Sequence, residues 1–202
     1  MLNKITLFSL FKSINALFFV FNCKLTKKIH NFGIKSSKSA NKMKEIVKSV
    51  HIILKEENEL NELEQQLVTA AKEATFRSYA PYSKFCVGAA VLLENGEVIT
   101  GNNQENCAYP SGLCAERTTL FYANSKYPDV PVRMLCIAAR DTKGEFTNSP
   151  ISPCGACRQV MLETEHRFGK PIKIMLYGTD GTYFVDSASD LLPVAFDSNS
   201  LL

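Results

Sequence analysis

Between Glu59 and Val185 the hydrophobic pattern switches repeatedly between a helical period and strand-like runs. The order of those switches leaves few architectures open. Leu60, Leu63, Leu67, Ala70, Ala71 and Ala74 recur at helical spacing, and that helix is expected to end near Ala80-Pro81, since proline disfavours helix in the residue before it. Cys86 to Leu93 is a run of small and β-branched residues. Glu94-Asn95-Gly96 and then Val98 to Thr100 complete a hairpin around an Asn-Gly turn. Cys114 to Ser125 fits a second helix, Val132 to Ala139 a buried strand, and Cys154 to Phe168 a third helix stopped by Gly169-Lys170-Pro171. Ile172 to Tyr177 and Thr182 to Val185 read as two further strands, while Ser49 to Glu57 is a short, charged lead-in. The pattern predicts an α/β fold with one mixed sheet of about five strands and helices on its faces.

Charge divides the chain. The formal charge of +3 over 202 residues suggests a weakly basic protein, yet residues 1 to 42 hold eight Lys and no Arg, Asp or Glu. Residues 43 to 202 hold 15 basic and 20 acidic side chains, so the body is acidic. An acidic body argues against a broad phosphate-binding surface, and with it against a nucleic-acid partner. No run of 18 apolar residues occurs, so no membrane-spanning helix is expected. The first 42 residues are Phe, Ile, Lys or Asn at 23 positions, the residues of AT-rich codons, and have little period. They are expected to be unstructured or spurious flanking sequence, with the functional domain spanning 43 to 202 from Met43. A disordered extension and a targeting segment are the alternatives. Against targeting, Lys12, Ser13 and Asn15 interrupt the apolar stretch, no small-x-small cleavage site follows it, and no Arg precedes Arg77.

Seven cysteines, several inside apolar strands, do not suggest a secreted disulfide scaffold. Cys86 and Cys136 fall in expected strands and suit small buried groups. Pro153-Cys154-Gly155-Ala156-Cys157 opens an expected helix and puts two thiols on one face. Backbone N–H groups and the helix dipole favour thiolate there. Cys114-Ala115-Glu116 opens another helix, where both side chains can converge just beyond the terminus. A C-x-x-C pair alone also fits a dithiol redox site. A structural zinc site would need a fourth ligand, for which Cys107, His51 and His166 are the candidates in the body. Three thiolates, an open position and an adjacent carboxylate make the catalytic arrangement, and C-x-E followed by P-C-x-x-C is a known signature of zinc deaminases.

Five segments in order carry a resemblance. They are Tyr79 to Phe85 with Val87 to Ala90, Gly101 to Asn106, Cys114 to Thr118, Pro153 to Gln159, and Leu191 to Phe196. On them the body, from Glu59 to Phe196, resembles the small, homotetrameric, three-cysteine cytidine deaminases. The resemblance implies a three-layer α-β-α sandwich on a mixed five-stranded sheet, and a start near Met43. It also implies one Zn2+ per subunit on Cys114, Cys154 and Cys157, lowering the pKa of a bound water. Glu116 would take the water's proton, deliver it to N3 and then protonate the departing amine, for which its pKa must be raised. Three thiolates outweigh a divalent ion, so Arg117 is expected to offset charge by donating to ligand sulfurs. Arg158 is the other candidate for that role.

For the substrate, the resemblance implies that Asn103 and Glu105 hold the ribose, Glu105 accepting from the 3′-hydroxyl. Phe85 would pack on the nucleoside and backbone around Ala115 would read the base. Asparagine also suits turns and phenylalanine also suits cores. Tyr109 and Phe196 are assigned to a site shared between subunits, with Phe196 stacking in a neighbour's pocket. The implied protein is a cytoplasmic nucleoside deaminase acting on cytidine and deoxycytidine in pyrimidine salvage. A deaminase of the same scaffold acting on another aminated nucleoside, and a structural zinc or dithiol module, remain as rival readings.

Overall fold

The structure, a computed structural model, describes residues 44–201. The expected extension of residues 1 to 42 lies outside the described residues. Six strands and three α-helices follow in chain order. They are β1 (Ile53–Lys55), α1 (Glu62–Ala74), β2 (Phe85–Leu93), β3 (Val98–Asn102), α2 (Ala115–Lys126), β4 (Val132–Asp141), α3 (Gly155–Phe168), β5 (Lys173–Gly178) and β6 (Gly181–Val185).

Local sequence explains the starts and stops. Asn61 caps α1: its Oδ1 accepts from the Glu64 N–H at 3.0 Å, and Glu64 Oε2 accepts from the Asn61 N–H at 3.1 Å. This reciprocal box satisfies two otherwise orphaned donors. The helix ends at Ala74, and a 3-10 turn over Thr75–Arg77 carries the chain on, so regular α-helix stops short of Pro81. Gly169, in the left-handed region at φ 63°, terminates α3.

The strands form one sheet in the order β1-β6-β5-β4-β2-β3. β4 and β5 are its parallel pair and every other pairing is antiparallel. A parallel pair requires a crossover, and α3 supplies it. The sheet has six strands and not the expected five. The added strand, β1, lies inside the charged lead-in and pairs Ile53 to Lys55 with Phe184 to Thr182. Three residues on a sheet edge are too short to display a period. Side-chain contacts support that pairing: Lys55 Nζ lies 3.0 Å from both oxygens of buried Glu64 and 4.3 Å from the centre of the Phe184 ring.

Alternation along the central strands divides the core in two. Ala90, Leu92, Met134, Cys136, Ala138, Met175 and Tyr177 pack with Leu67, Val68 and Ala71 of α1. Val91, Leu93, Leu135, Ile137, Ile174 and Leu176 pack on the opposite face with Leu120 and Ala123 of α2 and Cys157 and Met161 of α3. The result is the expected three-layer α-β-α sandwich. Cys136 is a fully buried member of this core, its thiol pushed well up by burial, as suits an inert apolar group. Gly88 sets the approach of α1: a β-carbon there would overlap the Ala71 carbonyl oxygen.

Candidate active site

Crossovers on one face of the sheet bring the N-termini of α2 and α3 together. Cys114 is the N-cap of α2 and Cys154 the N-cap of α3, each in extended backbone. Neither makes the side-chain capping bond usual at that position. Cys157, in the first turn of α3, is fully buried. The sulfurs of Cys114 and Cys154 are 3.8 Å apart and those of Cys154 and Cys157 are 3.4 Å apart. All three ligand atoms lie within 4.8 Å of one another. Tetrahedral zinc with Zn–S bonds of about 2.3 Å places its sulfurs roughly 3.8 Å apart, so the set fits. No histidine and no fourth cysteine joins this group among the described residues, and Cys107 stands exposed outside it.

The electrostatics suit anionic sulfur. The Cys114 thiol is held down at about 5, first by donation from the Cys157 thiol and also by Arg117, whose Nη2 is 3.8 Å from Cys114 Sγ. Cys157, as the donor of that pair, is pushed up. Arg117 Nε is buried with no hydrogen-bond partner, so the guanidinium retains a donor directed into the structure. Arg158 does something else. Its Nε donates to the Pro153 carbonyl at 2.9 Å and its Nη1 to the Leu191 carbonyl at 2.9 Å, which ties the start of α3 to the C-terminal segment.

Glu116, in the first turn of α2, is only 4% exposed. Burial, reinforced by the negative charge at Cys114, raises its carboxyl above the ordinary range. A buried carboxyl raised in this way, beside a cluster of three cysteines, is the environment expected of a proton carrier.

A cavity of about 490 Å³ opens beside Cys114 and Arg117, with Tyr82, Asn103, Glu105 and Tyr109 in its wall. Glu105 Oε2 accepts from the Tyr82 N–H at 2.9 Å and the Ser83 N–H at 3.2 Å. Bonding from Ser83 and the Tyr82 amide holds the carboxyl below its usual range. Asn103 Oδ1 accepts from the Val87 N–H at 2.8 Å and its Nδ2 donates to the Phe85 carbonyl at 2.9 Å, bracketing the start of β2. Tyr109 is 76% exposed at the rim and meets Tyr82 edge-on at 6.1 Å. Ala115 is buried at the first position of α2.

Two expected contacts stand apart. Phe85 is half-buried at the start of β2 and outside the cavity wall. Phe196 is exposed, tied only by its carbonyl to Gln159 Nε2 at 2.7 Å, and does not enter the chain's own cavity. The structure also adds a part that sequence reading missed, the backbone amides of Tyr82 and Ser83. Amides leave no signature in residue type.

Residues 61–168 match the family described as the cytidine and deoxycytidylate deaminase zinc-binding region. The chain belongs to the cytidine deaminase family. The match contains Cys114, Glu116, Cys154 and Cys157. Similar proteins include the cytidine deaminases of Halalkalibacterium halodurans, 41% identical over 137 residues (68% of this chain and 96% of the relative), and of Sporosarcina psychrophila, 39% identical over 137 residues (68% and 93%). Among solved structures, the cytidine deaminase of Burkholderia pseudomallei is 43% identical, with a TM-score of 0.56 over 65% of this chain and 97% of that one. As a member of the cytidine deaminase family this protein is a hydrolytic enzyme with a zinc-binding region, and its three clustered cysteines fit that metal.

Proposed function

We propose that this cytidine deaminase family member converts cytidine and deoxycytidine to uridine and deoxyuridine, releasing ammonia, in pyrimidine nucleoside salvage. The observation that carries this reading is the meeting of two helix N-termini, which gathers Cys114, Cys154 and Cys157 beside a buried carboxyl with a raised pKa. Those three residues would hold one zinc ion per chain, which would supply Lewis acidity and make water a stronger nucleophile near neutral pH. The remaining steps belong to this chain's side chains. Glu116 takes one proton of the attacking water and delivers it to N3 of the base, then carries the second, from the new C4 hydroxyl, to the amine as the C4–N bond breaks. Water oxygen thus replaces the amino nitrogen, and ammonia departs. Arg117 offsets the surplus negative charge of three thiolates by donating to Cys114.

Glu105 and Asn103 hold the sugar at the far side of the cavity. Glu105 Oε1 has no hydrogen bond to a described residue, which leaves it able to accept from the 3′-hydroxyl. Asn103 has one remaining N–H on Nδ2. The main chain at Ala115 faces the base, and Phe85 packs behind the nucleoside. Tyr109 at the rim and the outward-facing Phe196 act across a subunit boundary, in a cytoplasmic homotetramer with shared sites. Because Glu105 is anionic, an uncharged nucleoside is favoured over its phosphorylated form.

An ultraviolet assay tests this reading, run on cytidine, deoxycytidine, cytosine and cytidine monophosphate with ammonia measured in parallel. The two nucleosides are expected to be consumed with equal release of ammonia. Cytosine or the monophosphate reacting as fast as cytidine would refute the assigned sugar contacts.

A further inference from the structure

The turn that holds Glu105 has an unusual backbone. Pro81, Tyr82 and Ser83 form a tight turn, closed by the Lys84 N–H donating to the Ala80 carbonyl at 3.2 Å. Lys84 leaves this turn at φ 60°, and it is the single non-glycine residue with positive φ among the described residues. L-residues are disfavoured there because the β-carbon crowds the backbone, and β-branched residues are the most disfavoured. Lysine supplies no local side-chain hydrogen bond of the kind that lets asparagine tolerate the region.

The surroundings over-determine this conformation. Ser83 Oγ accepts from the Phe85 N–H at 3.1 Å, across Lys84. Beyond it, Asn103 grips Phe85 and Val87. On the other flank, the Tyr79 N–H donates to the Asn103 carbonyl at 3.0 Å and the Glu105 N–H to the Tyr79 carbonyl at 2.8 Å. The turn and the Asn103–Glu105 segment are therefore one unit, laced on both sides. Its product is a pair of consecutive N–H groups, Tyr82 and Ser83, directed at one oxygen of Glu105. Such consecutive amides form a small anion-binding concavity. The occupant here is the enzyme's own carboxylate, so the concavity fixes Glu105 Oε2 and leaves Oε1 without a hydrogen bond to a described residue, on a side chain that lines the cavity.

We propose that the left-handed backbone at Lys84 is a positioning device for substrate sugar: it aims the Tyr82 and Ser83 amides, which in turn aim Glu105 at the 3′-hydroxyl. The role belongs to the main chain at Lys84, and its ammonium group is incidental to it. A strained residue held by its neighbours beside a binding group is the usual setting for preorganisation. The inference rests on the proposed sugar-binding role of Glu105.

Its test compares the KM and kcat of cytidine with those of 3′-deoxycytidine, which lacks the hydroxyl that Glu105 accepts from. Four proteins are assayed: the unaltered chain, Lys84→Asn, Lys84→Ala and Lys84→Val. Asparagine tolerates the left-handed region without the charge, alanine opposes it, and valine opposes it most. Lys84→Val is expected to raise KM for cytidine about tenfold with kcat within twofold, and to leave KM for 3′-deoxycytidine unchanged. Lys84→Asn should stay within about twofold on both substrates, and Lys84→Ala should fall between the two. If Lys84→Val loses its zinc or its fold, the ordering of Lys84→Ala and Lys84→Asn decides the matter. Equal losses on both substrates, or the same loss in Lys84→Asn as in Lys84→Val, would overturn the proposal. An unaltered enzyme that consumes cytidine and 3′-deoxycytidine with equal KM removes the Glu105 contact and the inference with it. No turnover of cytidine at all removes the functional reading beneath both.

Discussion

The three α-helices among the described residues begin in two different ways. α1 begins with a closed box, Asn61 and Glu64 each accepting from the other's main chain. α2 and α3 begin at cysteines that make no capping bond. A helix start with unsatisfied N–H groups costs stability, typically ~1 kcal/mol relative to a good cap. It also leaves a partial positive charge available to bind something negative. In α1 the chain consumes that capacity itself. In α2 and α3 it is left for thiolate, and two such starts are placed together. The difference shows where stability gives way to chemistry: a sequence departs from the local rule where function requires it.

Three substitutions probe that contrast, beginning with the largest expected effect. Glu116→Gln, within the open start of α2, should lower the rate of ammonia release by ~10²- to 10⁴-fold, the scale of a lost general acid–base group. Zinc content by atomic absorption should stay at the unaltered level, because the three sulfurs are untouched. A loss of zinc in this variant would mean that Glu116 belongs to the ligand cluster and not to proton transfer. Arg117→Ala should reduce both zinc retention against a chelator and turnover, each by about 10- to 100-fold, as for other outer partners of metal ligands. Unchanged zinc and rate would reject the charge-offset role. Asn61→Ala, at the closed start, should cost about 1 kcal/mol and lower the melting temperature by roughly 2–4 °C, with activity per folded molecule unchanged. A drop in specific activity there would erase the distinction between the two kinds of start.

How much of this was legible in the sequence depended on whether a feature is written in side chains or in main chain. The cysteine caps were legible because residue type, helix start and spacing coincided. The central strands were legible because Cys86 to Leu93, Val132 to Ala139 and Ile172 to Tyr177 are near-continuous apolar runs, as strands covered on both faces are. β1 was not, since its three residues join β6 by main-chain pairing and α1 by the Lys55–Glu64 ion pair, a contact between residues nine apart, and neither leaves a periodic trace. The Tyr82 and Ser83 amides were not, since any residue carries an amide and only the φ of Lys84 marks the turn. Arg158 was ambiguous for a related reason. Its place beside Cys157 suggested the sulfurs, yet its donors reach two carbonyls, Pro153 and Leu191.

The spacing of the cysteines also bears on how the protein holds together. Cys114 and Cys154 are 40 residues apart in the chain, and all of β4 lies between them. An ion joined to both is a cross-link that closes this loop, in the manner of a disulfide but removable by a chelator. Closing a loop of that length restricts the unfolded chain by about 4 kcal/mol on the chain-entropy account. A bound ion would thus staple the loop that contains β4, a central strand of the sheet, as well as serve chemistry, and its loss should loosen β4 along with the reaction.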